Sequence, residues 1–88
     1  MREKTFTINN KLGLHARPAA LLAQTACRHK ASVKIFKGDV EVNGKSVMGL
    51  MMLAAGQGTR VRVVIDGEDE QQSMEAIEKL FSRKFDED

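Results

Sequence analysis

The chain has 88 residues, 42% of them hydrophobic and 30% charged, with one proline, one cysteine and a net charge of +2. So short a chain buries only about 60 to 65% of its unfolded surface, which excludes two independent cores and leaves one small domain spanning residues 1–88. No apolar run approaches a membrane span, the basic residues are dispersed and Trp and Tyr are lacking, so neither membrane insertion nor nucleic-acid binding is expected.

The opening MREKTFTI alternates like a strand over about Glu3 to Ile8 and lacks the continuous apolar segment of a secretory signal, so a cytoplasmic location is expected. Lys4, Phe6 and Ile8 share one side of that strand, and Thr5 and Thr7 the other. Asn9 to Gly13 reads as a loop. From Ala16 the apolar residues Ala19, Leu22, Ala23 and Ala26 recur at helical spacing, which predicts a helix over about 16–28. Pro18 suits its first turn, where a missing N–H costs nothing.

That helix start is the candidate site. Its orphan amides and the positive end of its dipole form an anion cradle behind His15, and Arg17 adds a guanidinium suited to phosphate oxygens. A neutral imidazole beside such a cradle is a nucleophile that can take up a phosphoryl group. A lone histidine near a helix start is ordinarily just a polar residue, but Gly13, Arg17 and Pro18 around it favour the chemical reading.

Cys27, near the end of the helix, has only His29 close by, so no disulfide and no zinc ligand set is expected, and the thiol reads as a half-buried filler. Ser32 to Lys37 and Val40 to Val42 flank the turn residues Gly38 and Asp39 and predict a β-hairpin. Asn43 and Gly44 break the chain, and Ser46 is placed to cap a short helix from Val47. Val47, Met48, Leu50, Met51, Met52 and Leu53 surround that helix almost completely, so Leu50 and Leu53 are expected in the core and part of the rest in a solvent-facing docking patch. Gly44, Lys45 and Ser46 end like a P-loop, but the first glycine would have to stand at position 39, where Asp39 is found.

After the loop of Gly56 to Gly58, Thr59 to Asp66 reads as a fourth strand with Val61, Val63 and Ile65 inward and Arg60 and Arg62 outward. A last helix starts near Asp69, where Asp69 and Gln72 resemble a capping box, and buries Met74, Ile77 and Phe81. Arg83 and Lys84 suit its negative end, and Asp86 to Asp88 reads as a frayed tail. The order βαββαβα predicts an α+β fold, a two-layer open-faced sandwich with helices on one face of an antiparallel sheet.

Leu12 to Ala19 (LGLHARPA) resembles the active-site motif of the HPr family, the histidine-containing phosphocarriers of the bacterial phosphoenolpyruvate-dependent sugar phosphotransferase system. Asn43 to Met52 (NGKSVMGLMM) resembles the same family's regulatory-serine segment, and the likeness covers essentially the whole chain. The resemblance implies a sheet order of 1-4-2-3 with three helices on one face. It implies a covalent carrier, not an enzyme, with no cofactor and no metal. Enzyme I would phosphorylate His15 on Nδ1, with Arg17 steadying the phosphate, and IIA domains of sugar permeases would receive it. Ser46 would be a phosphoserine, with HPr kinase/phosphorylase and a catabolite-control transcription regulator as its partners. Partners would dock on Ala20, Gln24 and Cys27 of the first helix and Val47, Met48 and Met51 of the second, and the carrier would act as a monomer. Two alternatives are a carrier of the nitrogen-related phosphotransferase branch and a non-catalytic regulatory module, against which His15 itself argues.

Overall fold

The computed structural model of the chain describes residues 1–86. Its elements run β1 (Arg2–Thr7), α1 (Ala16–Cys27), β2 (Ser32–Lys37), β3 (Val40–Asn43), α2 (Val47–Met52), β4 (Arg60–Asp66) and α3 (Glu70–Ser82). The four strands form one antiparallel sheet in the order β1-β4-β2-β3, the expected 1-4-2-3. The period-2 alternation of β4 decides which face is buried: Val61, Val63 and Ile65 point inward, and the register sets Phe6 opposite Val61 and Ile35 opposite Val63. Leu22 of α1, Leu50 of α2 and Ile77 of α3 close over that face, each fully buried, and each such side chain contributes about 1.5–3 kcal/mol.

The opposite face is left to water and is mainly polar, as predicted, with Phe36 and Val64 as half-buried apolar exceptions. Arg62 there lies 3.2 Å from Glu3 and 4.2 Å from the ring centre of Phe36, and Lys34 lies 3.9 Å from Glu41. Exposed pairs of this kind are worth at most about 1 kcal/mol each, so the inner face carries the stability.

Three local expectations are corrected. Asp69 is the N-cap residue of α3 but makes no side-chain cap; its carboxylate instead accepts from the backbone N–H groups of Lys30 and Ala31, both at 2.8 Å. The capping box loses because those two amides, at the turn between α1 and β2, offer a bidentate alternative. Cys27 is exposed, not half-buried, with Sγ 3.7 Å from the Lys45 carbonyl oxygen. The expected frayed tail begins too early: Asp86 belongs to a left-handed turn at Lys84–Asp86 and sits 3.2 Å from Arg83, while residues 87 and 88 lie outside those described. That turn folds Phe85 back into the core, edge-on to Phe81, which in turn stacks on Phe6 at 4.3 Å between ring centres.

Candidate functional site

His15 is the N-cap residue of α1, with extended backbone (φ −81°, ψ −169°), and its carbonyl accepts from Ala19 N–H at 3.0 Å. Its side chain does not cap the helix, and no acidic residue stands in the first turn. Helical geometry gives the amides of Ala16 and Arg17 no intrahelical acceptor, and Pro18, at the third helical position, has no N–H to add. Two outward amides at a positive helix end therefore flank a half-buried imidazole, with Arg17 exposed beside them.

The loop before His15 is gripped from the far side. Leu14 N–H donates to the Ala55 carbonyl at 2.9 Å, Gln57 Nε2 donates to the Asn9 carbonyl at 3.2 Å, and Gly58 N–H donates to the Ile8 carbonyl at 2.7 Å. Gly13 has φ +68°, and a Cβ there would stand 2.3 Å from Ala55 O, so only glycine fits. The fully buried Asn10 completes the loop, donating from Nδ2 to the Gly13 carbonyl at 2.7 Å. Asn10, Ala55 and Gln57 were missed from sequence. Ala55 acts through its carbonyl and carries no residue-type signal, whereas Asn10 read only as a loop polar residue.

Ser46 caps α2 as expected: its Oγ accepts from Gly49 N–H at 3.0 Å. The end of α2 is held by Lys37, whose Nζ lies 3.3 Å from the Leu53 carbonyl and 3.2 Å from that of Ala54. Because Cys27 touches Lys45 while Leu14 binds Ala55, α2 starts beside the end of α1 and finishes beside its beginning. Ser46 and His15 therefore stand at opposite ends of a twelve-residue helix, about 18 Å long at the usual rise per residue.

Between them lies the predicted docking patch. Val47, Met48 and Met51 are exposed, Leu50 and Leu53 buried, and Gln24 and Cys27 exposed, while Ala20 is half-covered. Met52 and Leu12, 77% and 74% exposed, add two large apolar side chains that were not predicted as docking residues.

The PTS-HPr family, described as the PTS HPr component phosphorylation site, matches residues 2–83. The chain belongs to the HPr phosphocarrier family. A phosphocarrier protein HPr of Xylella fastidiosa is 50% identical over 88 residues, covering all of this chain and 99% of that one. An HPr of Thermoanaerobacter tengcongensis has the same fold, with a TM-score of 0.96 and 43% identity over 100% of this chain and 99% of its own. The catabolite repression protein Crh of Bacillus subtilis is 40% identical over 96% of this chain and 97% of its own, with a TM-score of 0.75, and is described as a swapped, intertwined dimer. HPr proteins are phosphocarriers of the phosphotransferase system, so the family places the chain among carriers, not enzymes. Among the described residues, no helix is long and apolar enough to cross a membrane.

Proposed function

We propose that this chain takes a phosphoryl group on His15 from Enzyme I, itself charged by phosphoenolpyruvate, and passes it to IIA domains of sugar permeases in the cytoplasm. The Nδ1 lone pair attacks the donor's phosphorus, and the bond from phosphorus to the donor breaks as the new N–P bond forms; the onward step reverses the roles. The observation that carries this reading is a histidine at the N-cap of a helix whose first two amides, of Ala16 and Arg17, have no intrahelical acceptor, with the exposed Arg17 guanidinium beside them. Those amides and Arg17 neutralise phosphate oxygens through in-line transfer, the positioning and electrostatic work on which phosphoryl transfer depends.

Ser46 belongs to this reading as a regulatory site for HPr kinase/phosphorylase, with a catabolite-control transcription regulator as the reader of its phosphorylated form. Its distance from His15 makes the shared docking patch, not direct contact, the route of any effect. The carrier acts as a monomer in this reading, and the dimer described for Crh makes sedimentation of the purified chain the corresponding check.

Incubation with Enzyme I and phosphoenolpyruvate, followed by intact mass measurement, tests the assignment. The expected result is the gain of one acid-labile phosphoryl group, lost in His15→Ala and much slower in Arg17→Ala, since removing one charge-stabilising donor costs about 3–4 kcal/mol. Undiminished labelling of His15→Ala would refute it.

A further inference from the structure

We infer that Asn10 is a positioning residue for His15: its carboxamide fixes the orientation of the peptide group that leads into the phosphoryl acceptor. The inference rests on the reading of His15 as that acceptor and adds a residue to its machinery.

The Gly13–Leu14 peptide group is held at both of its polar ends. Its carbonyl accepts from Asn10 Nδ2 at 2.7 Å, and its N–H donates to the Ala55 carbonyl at 2.9 Å. Asn10 also takes the Gly13 N–H on its own carbonyl at 3.1 Å, so it binds the two peptide groups on either side of the Gly13 Cα. The glycine needs this support, because at φ +68° it is the residue about which a peptide plane rotates most freely. Leu14 then anchors its side chain in the core, and the His15 carbonyl is already committed to Ala19 N–H. The backbone of His15 is thereby fixed before and after, and only side-chain torsions remain to carry the imidazole over the amides of Ala16 and Arg17.

Asn10 is fully buried, a costly place for a carboxamide unless its hydrogen bonds are needed. It meets the short local demand of one carbonyl in the loop that carries the chemistry. Effective transfer depends on placing the reacting atoms to within a fraction of an ångström, and a displacement of about 1 Å costs on the order of a hundredfold. Asn10→Ala is therefore expected to lower the saturating rate of transfer from Enzyme I between about ten- and a hundredfold, with KM unchanged because the docking patch is untouched.

The test compares wild type, Asn10→Ala and Asn10→Asp, each rate taken per folded molecule and across a pH series. An ionised Asp cannot donate to the Gly13 carbonyl, but a protonated one can. Asn10→Asp is thus expected to approach the wild-type rate at the acid end of the series and to fall away as pH rises. A structural role alone would lower the melting temperature and leave the saturating rate per folded molecule and its pH profile as in wild type. A folded Asn10→Ala with a rate within twofold of wild type overturns the inference. If Asn10→Ala does not fold, an Asn10→Asp that follows the wild-type pH profile overturns it, as does failure of both variants to fold at any pH. A wild type that takes up no phosphoryl group at all refutes the carrier assignment instead, so the two failures are distinguishable.

Discussion

Replacing Gly13 with Ala probes the wedge between the His15 loop and the segment after α2. At φ +68° an alanine pays the left-handed penalty of about 1–2 kcal/mol. Its Cβ would also meet Ala55 O at 2.3 Å and Gly56 Cα at 2.7 Å, backbone atoms with no rotamer to escape into, and such overpacking costs about 1–3 kcal/mol. Separating the two segments weakens the hydrogen bond from Leu14 to Ala55, worth about 0.5–1.5 kcal/mol. The expected loss is about 3–6 kcal/mol, out of roughly 4–13 kcal/mol for a domain of this length. Gly38→Ala is the control, since Gly38 has a similar φ of +58° but nothing within 4 Å of its would-be Cβ. Urea unfolding of both variants, followed by far-ultraviolet circular dichroism because the chain has no Trp or Tyr, separates torsional cost from clash. Equal losses at the two positions would refute the wedge, and with it the claim that the loop is held in place by its contact with Ala55.

Ala54 has φ +53° just past the C-cap of α2, so Ala54→Gly is expected to stabilise the fold by about 1 kcal/mol in the same urea assay; a neutral or lower midpoint would contradict this. The backbone N–H groups of Lys30 and then Ala31 hold the Asp69 carboxyl below its ordinary range, with His29 adding a smaller attraction. That contribution is present above the unfolded carboxyl's pKa and lost as pH falls through the lower folded one, so the melting-temperature gap between wild type and Asp69→Asn should be full at pH 7 and narrow below about pH 4. A gap unchanged between pH 7 and pH 2 would show that Asp69 contributes only as a neutral acceptor. Ser46→Asp keeps an acceptor for Gly49 N–H and puts charge at the positive end of α2, so stability should stay level or rise by about 0.3–1 kcal/mol. The charge also borders the apolar patch, so KM for Enzyme I should rise; a clearly lower melting temperature or an unchanged KM counts against that mechanism.

The fold was legible where side-chain periodicity reports burial directly. Val61, Val63 and Ile65 alternate as an inward face must, and Ala19, Leu22, Ala23 and Ala26 repeat as a buried helical stripe must. Ser46 was legible as a cap because a hydroxyl at a helix start has one preferred local partner. Asp69 misled for the complementary reason: its distant partners, Lys30 and Ala31, are backbone amides, and amides carry no sequence signature. Phe85 was read past for want of any local rule that three left-handed residues would return the chain to the core. The chemistry proposed for His15 is read from its immediate neighbours in sequence, whereas the contacts that hold its loop, from Asn10 and the Ala55 carbonyl, include one between two segments that are distant in sequence.

The central claim is that phosphate on His15 is received by the first turn of α1. Backbone amide NMR spectra of the uniformly labelled chain, recorded before and after charging by Enzyme I and phosphoenolpyruvate, address it residue by residue. The expected result is a large downfield displacement of the Ala16 and Arg17 amide protons as they begin donating to phosphate oxygens, with Ser73 and the rest of α3 unmoved. Phosphorylation that leaves Ala16 and Arg17 in place, or that displaces the amides around Ser46 instead, would contradict it.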